Sequence, residues 1–261
     1  MNYIVIPAYQ PDNKLIKLLE KIHEKSDFHI LVIDDGSSSE CQKIFDKAKQ
    51  FATVIRHQVN QGKGQALKTA FTYIQEQNIY GTVVTADADG QHKVWDIFRT
   101  ANKASENPNK LILGVRAFSG KVPLRSRFGN SLTKALFKLQ TGVGVTDTQT
   151  GLRAFTTNLI PFMLKIEGQR YEYEMNMLMV WAKEKRPFYE LEIKTIYENN
   201  NQGSHFNTVH DSVRIYKEIF KFALSSILSF CLDYSLYTLQ IFLGIPLVAA
   251  NISARFISAG F

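Results

Sequence analysis

The stretch VVTADADGQH, Val83 to His92, sets two carboxylates one residue apart, Asp87 and Asp89, directly behind an apolar run. Buried carboxylates repel each other and resist desolvation unless a positive charge pairs with them. A divalent cation is the expected partner. Mg2+ and Mn2+ take oxygen ligands and bridge a few carboxylates to substrate phosphates, and Gln91 can add a neutral oxygen. His92 beside them is either a ligand or a group behind the ligands. The aspartate pair alone is not specific, because two aspartates at this spacing also cap helices. Asp34-Asp35-Gly36-Ser37 closes another apolar run and, taken alone, reads as a turn or an N-cap. Gly62-Lys63-Gly64 opens a helical pattern. It is either a plain helix start or a loop that brings backbone N–H groups to phosphate. It lacks the Walker spacing, which argues against P-loop chemistry.

The elements that must position these residues alternate. Short apolar runs (YIVIPAY, FHILVIDDGS, TVIRH, GTVVTADAD, KLILGVR) are followed by helical patterns at 14–25, 40–50, 64–77, 94–103 and 127–139. Short strands between helices of ten or more residues predict βαβ units and a mostly parallel sheet flanked by helices. Such sheets bind ligands beyond the carboxyl ends of their strands, and the unusual residues collect there: Pro7-Ala8-Tyr9, Asp34–Ser37, Asp87–Asp89 and Gly114-Val115-Arg116. The second half is less regular. GVTDTQTGLRAF reads as a loop into a strand, RYEYEMNMLMVWAKEK as a helix, PFYELEIKTIY as a strand and NNNQGSHFN as a polar loop.

Composition narrows the class. At 261 residues and 45% apolar, the chain can build one large domain plus an appendage. Cys41 and Cys231 stand too far apart for a zinc or disulfide framework, which suits a reducing compartment. The first residues read as a strand and not as a signal peptide. Five Lys and three Arg against one Glu between Ala101 and Gln140 give a local excess equal to the whole chain's +7. Such a stretch either faces something anionic or is simply solvated. Nucleic acid is disfavoured as the partner, because no reading module accompanies the charge.

The tail changes character. Phe222–Leu243 carries one charge, Asp233, in 22 residues. The run is long enough to cross a bilayer, which needs about 20 residues, and the other reading is a buried core helix. Lys217 and Lys221 at its start fit the positive-inside pattern. Asp233 in mid-span costs about 2.5–3.5 kcal/mol unless it is paired, which predicts that it faces another subunit, in a homo-oligomer, or that the segment inserts poorly.

Together and in order, IPAY, VIDDGSS, NQGKGQALKTA, TADADGQH, LGVR, RSRFGNS and DTQTGLRAF resemble the family 2 glycosyltransferases of GT-A fold. Within them they are most similar to the branch that makes polyprenyl-phosphate sugars, relatives of dolichol-phosphate mannose synthase. The resemblance covers residues 1–220 as a catalytic domain. Residues 221–261 look like the start of a GtrA-like membrane domain, a family that usually has four membrane helices, of which this chain reaches the second. The resemblance implies that Pro7, Tyr9, Ile33 and Asp35 line the nucleotide base and ribose, that Asp87 and Ala88 contact the nucleotide, and that Asp89 and Gln91 hold the metal. It implies that Arg116, Arg127 and Ser131 hold phosphate, that of the lipid acceptor foremost. Arg127 and Ser131 are four residues apart, which puts them on one helical face. One departure bears on the base: many relatives have Asn-Glu after PAY, and this chain has Gln10-Pro11.

The expected reaction is an inverting, metal-dependent transfer of a sugar from a nucleotide sugar, UDP-glucose or UDP-N-acetylglucosamine on family grounds, to undecaprenyl or another polyprenyl phosphate. It would take place at the cytoplasmic face of the cell membrane and supply cell-wall or other envelope glycans. A phosphomonoester with its second pKa near 6 is mostly dianionic at neutral pH. It needs cations to hold it more than a base to activate it. The basic, Phe- and Leu-bearing stretch Lys121–Lys138 suits that need at a membrane surface. Asp147 stands where relatives place a candidate base, and it reads equally as a structural Asp in a turn. The competing readings are a family 2 transferase with a glycan acceptor and a non-catalytic, membrane-tethered lipid-sugar binder.

Overall fold

Strand β1 (Asn2–Ala8) runs through the middle of a seven-stranded sheet, and four of its side chains, Tyr3 to Ile6, are almost wholly buried. In the computed structural model, residues 1–116, 133–135, 137–194 and 210–259 are described. The other strands are β2 (His29–Asp34), β3 (Thr53–Arg56), β4 (Thr82–Thr85), β5 (Leu111–Arg116), β6 (Arg153–Thr156) and β7 (Phe188–Ile193), in the order β3-β2-β1-β4-β6-β5-β7. Strands β1 to β4 are parallel, β5 and β7 are parallel, and β6 runs against both β4 and β5. The expected mostly parallel α/β sheet is therefore present, with one reversed strand near its centre.

That reversal matters for the site. Parallel strands end at one edge of the sheet, and an antiparallel strand between them begins at that same edge. The residues leading into β6 thus arrive beside the ends of β4 and β5. Three bonds seat them there: Thr85 Oγ1 donates to Gly151 O at 2.8 Å, Gly114 N to Leu152 O at 2.8 Å, and Thr150 Oγ1 to Gly114 O.

Helices α1 (Asn13–His23), α2 (Gln42–Ala48), α3 (Lys63–Glu76) and α4 (Val94–Glu106) follow β1 to β4 in turn. Asp12 caps α1 by accepting from Lys14 N at 2.7 Å, as its short acidic side chain favours. One core packs Leu15, Leu19 and Ile22 of α1 and Ile97 and Ala101 of α4 with Ile4, Ile6, Val32 and Val84 of the sheet. Each such Leu, Ile or Val side chain contributes about 1.5–3 kcal/mol by burial. Helix α3 buries Leu67, Phe71 and Ile74, and Phe71 meets Phe155 of β6 edge-on at 5.3 Å. Helices α5 (Ile160–Lys165) and α6 (Glu172–Lys183) lie between β6 and β7.

The chain divides into two units, Met1–Asp211 and Ser212–Phe261, so the division falls upstream of the expected boundary at 220. The second unit consists of the long helix His210–Phe242 from Ser212 onward and the helix Leu247–Ala259. The backbone over the expected membrane span Phe222–Leu243 is helical, and among the described residues no helix is long and apolar enough to cross a membrane, so the span is not shown. Several polar groups of the run find partners inside the helix pair. Ser229 Oγ donates to Ser258 O at 2.9 Å, Ser253 Oγ to Gln240 Oε1 at 2.6 Å, and Ser258 Oγ lies 3.4 Å from Asp233 Oδ1. Asp233 thus has a hydroxyl neighbour within its own chain.

Candidate active site

The ends of β1, β2 and β4 lie side by side. Pro7 is in register with Ile33, and Val5 with Thr85. The pairing continues past the strands: Asp35 N donates to Ala8 O at 2.9 Å and Ala86 N to Val5 O at 3.0 Å. Tyr9, Asp35, Asp87 and Ala88 therefore sit next to one another at one edge, as the run-and-helix pattern predicts. Tyr9 is 40% exposed, whereas the side chain of Ile33 is fully buried and can only shape the floor. Arg127 and Ser131 lie outside the described residues.

Asp87 is held from two directions. Lys63 Nζ donates to its Oδ1 at 2.8 Å, and His92 Nε2 stands 3.3 Å from its Oδ2. Burial pushes the Asp87 carboxyl up, but Lys63 and His92 together outweigh it and hold the carboxyl well below the usual carboxylate range. Lys63 Nζ also pairs with Glu174 Oε2 at 2.9 Å. Burial works against the Lys63 ammonium, and the two carboxylates overcome it, so the group stays charged. His92 thus backs Asp87 with Nε2, while its Nδ1 is buried without a hydrogen-bond partner among the described residues.

Asp89 is different. It accepts one backbone bond, from Gln91 N at 3.0 Å, and makes no ion pair among the described residues. Burial, and then the charge of Asp87, raise its carboxyl above the ordinary value. A carboxylate lacking a cation and crowded by a second one gains from a divalent ion. Among the described residues no three His, Cys, Asp or Glu side chains form a cage for a metal. The donor set is that of an ion bridging one carboxylate to substrate phosphates rather than one enclosed by protein. Asp89 with Gln91 fits an Mg2+ or Mn2+ ion on those terms.

Two of the expected site residues are already engaged by partners within the protein. Asp35 was expected to line the nucleotide base or ribose, but its carboxylate is already saturated. Oδ1 takes His57 Nδ1 at 2.8 Å and Gln61 N at 2.9 Å, and Oδ2 takes Asn60 Nδ2 at 3.0 Å and Gly62 N at 2.8 Å. These bonds hold the loop 57–62 that launches α3. Asp147 was a candidate base. It is fully buried, with both oxygens gripped by the Arg116 guanidinium at 2.6 and 2.9 Å, and Oδ1 also accepts from Gln149 N at 3.1 Å. A buried carboxylate so engaged does not present a basic oxygen to a substrate. It fixes Arg116 at the end of β5.

Sequence reasoning named Gly62-Lys63-Gly64 but left Lys63 without a partner, and it missed Glu174 and Arg153. Gly62 has φ +100°, and a Cβ there would lie 2.6 Å from Gln169 O; a Cβ on Gly64 would lie 2.5 Å from Tyr173 Cβ. The glycines let the start of α3 press against residues 169–173, and Gln65 N donates to Gln169 O at 2.7 Å. The motif is thus a helix start packed on its neighbour, and Lys63 is its chemistry. Arg153, 1% exposed, donates from Nε to Thr150 O at 3.0 Å and from Nη1 to Glu174 O, tying the loop before β6 to the first turn of α6. A lysine between two glycines at a helix start was the one signal in the sequence that could have been followed further.

Comparison with known proteins places this geometry. The sequence model described as Glycosyl transferase family 2 matches residues 3–162. The match stops short of the C-terminal unit, and the GtrA-like resemblance of that unit gains nothing from it. A Methanococcus voltae protein named UDP-N-acetylglucosamine--dolichyl-phosphate N-acetylglucosaminyltransferase is 28% identical over 215 residues, covering 75% of this chain and 85% of its own. A Pseudomonas fluorescens protein named undecaprenyl-phosphate 4-deoxy-4-formamido-L-arabinose transferase is 29% identical, over 62% of this chain and 48% of its own. Among solved structures, glucosyl-3-phosphoglycerate synthase from Mycobacterium tuberculosis, in complex with Mn2+, UDP and glucosyl-3-phosphoglycerate, superposes with a TM-score of 0.63 at 15% identity. It covers 86% of this chain and 79% of that one. At that identity the likeness concerns the fold.

Proposed function

The chain belongs to glycosyl transferase family 2, and from that premise we propose that it transfers a sugar from a nucleotide sugar to the phosphate of a polyprenyl lipid, with inversion at the sugar. UDP-glucose and UDP-N-acetylglucosamine are the favoured donors and undecaprenyl phosphate the favoured acceptor. The observation that carries the reading is the charge arrangement at one sheet edge. Asp87, already neutralised by Lys63, stands two residues from Asp89, which makes no ion pair among the described residues. The names of the Methanococcus and Pseudomonas relatives, one a dolichyl-phosphate and the other an undecaprenyl-phosphate transferase, support the acceptor class.

In this reading Tyr9 and Pro7 meet the nucleoside, and Asp87 and Ala88 meet the nucleotide beyond β4. Asp89 and Gln91 would hold Mg2+ or Mn2+, which when bound neutralises the charge that develops on the departing nucleoside diphosphate. Arg116, held rigid by Asp147, offers its guanidinium to phosphate from the end of β5. The lipid phosphate is dianionic near neutral pH and attacks without a base, which agrees with Asp147 being engaged elsewhere. Arg127 and Ser131 belong to the same acceptor site in this proposal. The catalytic unit would work at the cytoplasmic face of the cell membrane, and its product would feed envelope glycan modification.

A donor panel tests this. Nucleoside diphosphate release is measured with and without undecaprenyl phosphate and with Mn2+, Mg2+ or chelator. Release should require the lipid phosphate, the divalent ion and one preferred donor. Release at the same rate without lipid phosphate would overturn the acceptor assignment, and full release in excess chelator would overturn the metal assignment.

A further inference from the structure

Lys63 is shared between two carboxylates that come from opposite halves of the chain. Its Nζ donates to Asp87 Oδ1 at 2.8 Å and stands 2.9 Å from Glu174 Oε2. The lysine side chain is 17% exposed and that of Glu174 12%, so water competes little for these bonds. The function proposed above uses Asp87 and gives Glu174 nothing to do.

Glu174 is nevertheless built in firmly. It lies in the first turn of α6, where a negative charge is favoured by the helix dipole. Its backbone oxygen is held by the buried Arg153 guanidinium. The turn before it is fixed as well: Glu172 Oε1 accepts from Gln169 N and Arg170 N at 3.1 Å each, and Arg170 Nη1 donates to Asn60 Oδ1 at 2.9 Å. Glu174 Oε1 is buried without a hydrogen-bond partner among the described residues. The carboxylate is therefore committed to Lys63 through its other oxygen.

A lysine is a point charge on a flexible four-carbon stem. If Asp87 were its sole anchor, the ammonium would lose its place whenever Asp87 turned to a ligand. A second carboxylate on a rigid helix removes that difficulty. We propose that Glu174 is a positioning residue for the diphosphate of the nucleotide donor: it acts through Lys63, keeping that ammonium at the end of β4 when Asp87 engages the donor. The inference rests on the nucleotide-sugar reading and adds to it a residue outside the motifs on which that reading stands.

The probe is UDP with Mn2+, titrated calorimetrically into the full chain and into Glu174→Gln, Glu174→Asp, Lys63→Met and the Lys63→Met/Glu174→Gln pair. Thermal melting and steady-state kinetics accompany each variant. Glu174→Gln should weaken UDP binding about tenfold, the scale of one charge-assisted contact. It should raise the donor KM to match and leave the KM for lipid phosphate unchanged. Glu174→Asp should restore most of the loss. The double variant should bind no more weakly than Lys63→Met alone, because Glu174 acts through the lysine. Wild-type UDP affinity in Glu174→Gln, with only the melting temperature lowered, would reduce the pair to a tie between α3 and α6 and overturn the proposal. Independent, additive losses in the two single variants would overturn it too. A wild-type chain that binds no UDP in the presence of Mn2+ would overturn the parent reading and this inference with it.

Discussion

The guanidinium of Arg116 grips the carboxylate of Asp147 with two parallel bonds, Nε to Oδ2 at 2.6 Å and Nη2 to Oδ1 at 2.9 Å, and the carboxylate is wholly buried. Removing one partner of such a pair leaves a charge uncompensated, at a cost of about 3–5 kcal/mol. Asp147→Ala should therefore lower stability by about 3 kcal/mol or more, and it should weaken acceptor use by freeing Arg116. Urea unfolding measured beside turnover separates the two roles. Lost turnover with an unchanged unfolding midpoint would restore Asp147 as the base.

Gly151 lies against the Asp87 carboxylate: a Cβ at this position would stand 2.4 Å from Oδ2 and 2.8 Å from Oδ1. The flexible atoms there belong to the site itself, so relief must come from displacing Asp87. Gly151→Ala should raise the donor KM about tenfold or more, with a stability loss of about 1–3 kcal/mol typical of overpacking. Steady-state kinetics with varied donor checks it, and an unchanged donor KM would show that Asp87 does not touch the donor.

Asp35 satisfies four donors of the loop that starts α3. Asp35→Ala strands two backbone N–H groups and should cost about 3 kcal/mol or more. Nucleotide binding should weaken only as a consequence, through the displaced Lys63. A variant that melts like the wild type but binds nucleotide poorly would return Asp35 to the base-contacting role that the motif suggested.

The strand ends were legible in the sequence because the apolar runs are short and four of the five carry Asp, Gly or Pro near their ends, and a parallel sheet puts all such ends on one edge. That reasoning brought Tyr9, Asp35, Asp87 and Asp89 together correctly. It could not see what occupies them. The partners of Asp35 come from residues 57–62, and the second partner of Lys63 comes from Glu174, more than a hundred positions away. Spacing carries no information about either. Asp147 illustrates the same limit: a carboxylate in a turn near the site is readable, but its saturation by Arg116 depends on β6 running backwards between β4 and β5. The tail shows the same limit: a count of charges over Phe222–Leu243 carries no information about its hydroxyl and amide groups, which bond within a helix pair.

Asp89 makes no ion pair among the described residues, and it is raised by burial and by Asp87. Asp89→Ala should therefore fold at least as well as the wild type while losing transfer by about a hundredfold or more, the scale of removing a group that stabilises developing charge. Comparable melting curves with retained transfer would remove Asp89 from the metal site.

The most direct test of the whole account follows a labelled sugar. A radiolabelled UDP-sugar, chosen by the donor panel, is incubated with the chain, undecaprenyl phosphate and Mn2+, and the label is partitioned between aqueous and organic phases. The account predicts label in the organic phase as a lipid-phosphate sugar that depends on the lipid phosphate and is abolished by chelator and by Asp89→Ala. Label that stays in water as free sugar, or that moves onto a glycan and never onto the lipid, would contradict it.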